Sequence, residues 1–189
     1  DLRSGGATSI EARANFKELG WSKLDWTAGA WWRDVDKGFS ISRYDPGAEV
    51  QEYGAEVLGQ LTENINLFSR YTVADRNAES LTQAQVTVQW IVSESTTWGA
   101  ELRMLDEQRL SGDAVGTLAA LQYKRQIGSN LDLYGIGQVT LSNDGGAYQD
   151  NNSLTVGAEY VFGELSTVTA ELVTGERGNA AKIGADYKL

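Results

Sequence analysis

The chain has 189 residues, 41% of them apolar and 22% charged, with 21 glycines, one proline, and neither cysteine nor histidine. That length suits a single domain, and the missing residue types exclude a disulfide framework, thiolate or imidazole metal sites, and every catalytic triad built on an imidazole base. A formal charge of −10 and a pI near 4.5 have the wrong sign for a nucleic-acid surface, which needs an excess of Lys and Arg.

Along the chain, residues of one parity are apolar and those of the other polar, the period of a strand rather than a helix. The spacing predicts about twelve strands. The first five lie near 7-16, 23-33, 38-44, 50-61 and 65-74. The sixth, 80-93, sets Ala84, Val86, Val88, Trp90 and Val92 against Gln83, Gln85, Thr87 and Gln89. The seventh, 96-106, sets Trp98, Ala100, Leu102 and Met104 against Gly99, Glu101 and Arg103. Then come 114-125 and 130-142. The tenth, 153-162, is the cleanest, with Leu154, Val156, Ala158, Tyr160 and Phe162 interleaved with Thr155, Gly157, Glu159 and Val161. Strands near 165-174 and 180-189 close the series. No apolar run approaches the ~20 residues of a membrane helix. The Gly135-Ile136-Gly137 stretch is strand glycine, because no third glycine and no helix follow to make a phosphate loop.

The connections alternate in length. Short links at 62-64, 94-95, 126-130 and 163-164 face longer ones at 107-113, 143-152 and 175-179, rich in Gly, Asp and Asn as turns require. Twelve strands put both termini on the short-link side. The chain opens at Asp1 without Met or an apolar leader, so removal of a signal peptide or an upstream region is expected.

A mean hydropathy of −0.35 ordinarily describes a soluble protein, and a soluble sandwich or barrel would hide its apolar parity inside. Three observations favour lipid outside instead. The strands are about ten residues long, enough to cross a bilayer when tilted. The polar parity is Gly, Gln, Thr and Ser with charges of both signs, which suits a crowded aqueous lumen. Aromatics of the apolar parity gather at strand ends, as amphipathic rings do at the two bilayer interfaces. Trp32, Phe39, Trp90, Trp98, Tyr123, Tyr160, Phe162 and Tyr187 are expected in a belt at the short-link end; Phe16, Tyr53 and Tyr71 are expected at the other.

The last eight residues, Lys182-Ile183-Gly184-Ala185-Asp186-Tyr187-Lys188-Leu189, resemble the C-terminal assembly signal of bacterial outer-membrane β-barrel proteins: polar, any, Gly, any, any, aromatic, any, hydrophobic. That family usually ends in Phe, where Leu189 stands here, and Thr155 to Phe162 fits the same pattern internally. The resemblance to porin-like members implies an all-β, up-and-down antiparallel transmembrane barrel over residues 1-189. It also implies a bacterial outer-membrane location, contact with bilayer and lipopolysaccharide, and insertion by the barrel-assembly machinery.

Inward parity assigns Glu11, Arg13, Asp25, Arg33, Glu52, Glu56, Arg70, Glu101, Arg103, Lys124, Asp132, Glu159, Glu171, Lys182, Asp186 and Lys188 to the lumen, since Arg or Lys facing lipid at mid-membrane costs about 2–4 kcal/mol. These are nine acids and seven bases, so an open pore is expected to prefer cations weakly. The alternative is an interior filled by ion pairs, in a barrel that anchors or translocates a separate domain of a larger protein. Enzymatic outer-membrane barrels use His with Ser or Asp, which this chain cannot, and the pair Glu159 and Glu171 reads as wall charge. No cofactor and no metal is expected.

Overall fold

The computed structural model describes residues 5–39, 48–144, 150–162 and 166–187. Strand-period segments take up the extended conformation in eleven strands: β1 (Ala7–Asn15), β2 (Trp26–Val35), β3 (Val50–Thr62), β4 (Ile65–Arg76), β5 (Glu79–Ser93), β6 (Thr96–Gln108), β7 (Ala114–Ile127), β8 (Leu131–Asp144), β9 (Ser153–Phe162), β10 (Ser166–Gly175) and β11 (Gly178–Asp186). They form one antiparallel sheet in sequence order, each strand pairing with its chain neighbours, with β1 and β11 at the two edges. Among the described residues there is no helix.

The expected strand at 38-44 is corrected. β2 pairs directly with β3, from Val35 opposite Val50 to Trp26 opposite Gly59, so no strand can lie between them. The chain instead leaves β2 in a turn closed by Phe39 N–H donating to the Asp36 carbonyl, with Gly38 at φ 95°; residues 40–47 of that segment lie outside the described residues. One strand fewer moves the ends. β1 starts at the mouth that carries the connections 36–49, 109–113 and 145–152, here called the upper mouth, and β11 finishes at the lower one. The termini are therefore not both on the short-link side.

Link lengths alternate less cleanly than expected. The upper mouth also has two tight hairpins, at 77–78 with Asn77 at φ 58° and at 176–177, while the lower mouth carries the longer 16–25 beside 63–64, 94–95, 128–130 and 163–165. Bulges at Leu61, Val92 and Leu141 lie near the rims, where an extra residue helps a barrel sheet turn.

The apolar parity does not make a core. Buried apolar residues among the described ones are Val35, Ala48, Val50, Val73 and Ala114, whereas Leu102, Leu121, Val156 and Leu172 are 44%, 54%, 46% and 59% exposed. Exposed apolar area on this scale needs a covering medium. The opposite face is concave, because there side chains from strands two apart converge: Arg13 of β1 on Glu56 of β3, Arg70 of β4 on Trp31 of β2, and Tyr134 of β8 on Glu171 of β10.

Candidate functional site: the polar concave face

Ladder register arranges the polar residues in rows across the strands, because residues opposite one another share a face. One row runs Arg13, Gly29, Glu56, Arg70, Gln85, Arg103 over β1 to β6. Towards the upper mouth lie Glu11, Trp31, Gly54 and Thr72, and then Arg33 and Glu52. Towards the lower mouth lie Leu58, Phe68, Thr87 and Glu101, and further rows that include Lys124, Tyr134, Gly157, Glu171 and Lys182, then Asp132, Glu159 and Thr169.

Glycine on an intervening strand lets partners two strands apart meet. Arg13 Nη2 reaches Glu56 Oε1 at 2.5 Å across Gly29, where an added Cβ would lie 3.5 Å from the Glu56 Cγ. Tyr134 lies over Gly157 and its hydroxyl donates to Glu171 Oε2 at 2.7 Å. Trp31 lies over Gly54, donates from Nε1 to Glu52 Oε1 at 2.9 Å, and carries the Arg70 guanidinium 4.7 Å from its ring centroid. Cation and ring are thus held by geometry that relies on a missing side chain.

The remaining pairs are shorter in reach. Glu101 binds Arg103 at 2.9 Å and accepts from Gln85 Nε2 at 2.8 Å; Lys124 meets Asp132 at 2.6 Å; Arg33 stands 3.8 Å from Glu52. Lys182 is directly opposite Glu171, Glu159 opposite Asp132, and Asp186 opposite Thr167, while Glu11 stands beside Trp31. Every inward residue expected within a strand is thus on this face. Asp25 instead precedes β2, accepting from Asn15 Nδ2 at 2.8 Å, and Lys188 lies outside the described residues. Such half-exposed ion pairs contribute about 0–1 kcal/mol each, so their effect on a solute's field exceeds their effect on stability.

On the convex face, Trp90 stands opposite Trp98, whose ring centroid is 4.8 Å from that of Tyr123. Tyr160, Phe162 and Tyr187 join them at the lower mouth. Trp32 belongs at the upper mouth with Tyr53 and Tyr71, and Phe16 at the lower, while Phe39, also at the upper mouth, lines a recess with Ser9, Arg33 and Val35 of the concave parity. The exchange follows from the lost strand, which reverses β1 and β2 relative to the expectation. Two lower-mouth aromatics were not anticipated: Trp26, packed over Gly59, and Trp21, whose ring centroid lies 5.7 Å from that of Phe16.

No known protein family matches the sequence, and no curated protein does. Solved structures match over nearly the whole chain. The KdgM porin aligns at TM-score 0.53 and 7% identity, covering 97% of this chain and 92% of that one. The KdgM porin in complex with disordered oligogalacturonate gives 0.53 and 8% with the same coverage. The NanC porin gives 0.57 and 12%, covering 98% and 94%. At such identities the likeness is one of fold, and the fold is that of these porins, an up-and-down antiparallel β-barrel.

Proposed function

We propose that the chain forms a passive aqueous pore for ions and small hydrophilic solutes in the outer membrane of a Gram-negative bacterium. The observation that carries this reading is the polar concave face. Its rows hold charges of both signs from Arg33 and Glu52 near the upper mouth to Asp132 and Glu159 near the lower, while the convex face is apolar and exposed. Porin structures of the same fold, one of them in complex with oligogalacturonate, support it. Under this reading the concave charges guide solutes and catalyse nothing. The lower aromatics from Trp90 to Tyr187 and the upper set around Trp32 and Tyr53 mark the two bilayer interfaces. The upper mouth, with its longer connections, faces the exterior and lipopolysaccharide, and the barrel-assembly machinery inserts the chain.

Single-channel recording in a planar bilayer with a salt gradient tests it. Discrete conductance steps with a modest cation preference are expected, because carboxylates slightly outnumber basic groups on the concave face. Stable insertion without conductance would overturn the pore and leave an anchoring barrel filled by its own ion pairs.

A further inference from the structure

One row of the concave face is uncharged. Asn66, Gln89, Gly99 and Gln122 stand side by side on β4, β5, β6 and β7. The missing side chain at Gly99 leaves a notch between two glutamines, and a Cβ there would lie 3.4 Å from both the Cβ and the Oε1 of Gln122. The notch belongs to a recess of about 530 Å³, within the usual range of small-ligand sites, roughly 300–1,000 Å³. Phe68 supplies an apolar wall and the Lys124–Asp132 pair a closed, mutually neutralised one.

A carboxamide carries two donors and an acceptor on one plane. Within the row, Asn66 Nδ2 donates to Gln89 Oε1 at 3.3 Å. The Gln89 NH₂ and the whole Gln122 amide have no partner among the described residues and remain available to a solute. Hydroxyl groups, which both donate and accept, match such amides, and an apolar ring face matches Phe68. An anionic solute finds no free counter-charge in the recess, since its one cation, Lys124, is already held by Asp132, and the remaining carboxylate, Glu94, lies in the 94–95 link at the lower mouth. The geometry points to an uncharged polyhydroxylated ring, a mono- or disaccharide, as the ligand of this recess. The inference rests on the pore reading and names a solute class for it.

The test is current block by sucrose, with galacturonate as the charged control. A saturable reduction of single-channel current by sucrose and not by galacturonate is expected, with the half-blocking concentration raised at least tenfold in Gly99→Leu and in Gln122→Leu. A reduction that only follows bulk viscosity, an unchanged half-blocking concentration in both variants, or equal block by galacturonate would overturn it. A barrel that inserts but does not conduct contradicts the pore instead. Calorimetric titration of sucrose into the folded protein in sugar-free detergent then still reads the recess: heat of binding lost in Gln122→Leu supports it, and no binding to the unaltered chain ends it.

Discussion

Leu102→Arg is expected to destabilise the inserted barrel by about 2–4 kcal/mol, the cost of Arg on a lipid face at mid-bilayer. Leu102 sits at the middle of β6, opposite Val86 and Ala119, and is 44% exposed on the convex face. The informative partner is Thr87→Lys, close by on β5 but on the concave face and directly opposite Glu101. There the new ammonium meets water and a carboxylate, and the change in stability is expected to stay within about 0.5 kcal/mol. Urea titration of each variant refolded into lipid vesicles measures both. Equal costs at the two positions would mean that the faces are not divided between lipid and water.

Alanine at the two aromatic-covered glycines of the concave face should be costly for different reasons, and a second substitution separates them. A Cβ on Gly157 would overlap the Tyr134 ring end, so Gly157→Ala is expected to cost about 1–3 kcal/mol, the range of overpacking. The nearest atoms all belong to that one side chain, so in a Tyr134→Ala background the penalty should vanish. A Cβ on Gly54 would overlap both the Trp31 ring and the Tyr71 backbone carbonyl. Backbone within a ladder cannot step aside as a side chain can, so Gly54→Ala should cost at least as much and keep most of its penalty in a Trp31→Ala background. Denaturant midpoints of the four variants and their backgrounds supply the comparison. A Gly157→Ala penalty that survives removal of Tyr134 would contradict the packing described here.

The strands were legible because a period of two is a local property of the side chains, and all eleven strands overlap expected segments over most of their length. The same property misled at 38-44. Phe39, Ile41 and Arg43 alternate with Ser40 and Ser42, but alternation carries no information about whether a neighbour stands on either side. The direct ladder from Val35 to Val50 decides that. Its loss also exchanged Trp32 and Phe16 between the mouths, since each end assignment counts strands from the far terminus.

The charged members of the concave face were legible from parity alone. Their partners were not, because contacts such as Arg13 with Glu56 or Tyr134 with Glu171 join strands two apart, and register is needed to see that Gly29 or Gly157 lies between. Trp31 was missed because an indole counts as apolar, although its N–H serves Glu52 and its ring serves Arg70. A tryptophan on the polar parity was the available signal. The amide row was equally hidden: Asn66, Gln89 and Gln122 are far apart in sequence and meet only through three ladders.

Division of the strands between a water-filled lumen and a lipid face is tested most directly by cysteine scanning of β9, one residue at a time from Leu154 to Phe162, during bilayer recording. Thiol reagents that are charged and membrane-impermeant are predicted to react, and to alter the current, at Thr155, Glu159 and Val161, whereas Gly157 is left out of the scan because Tyr134 covers it. Leu154, Val156, Ala158 and Tyr160, on the convex face, should stay inert. Reactivity without a period of two, or confined to the even positions, would contradict the assignment of the two faces.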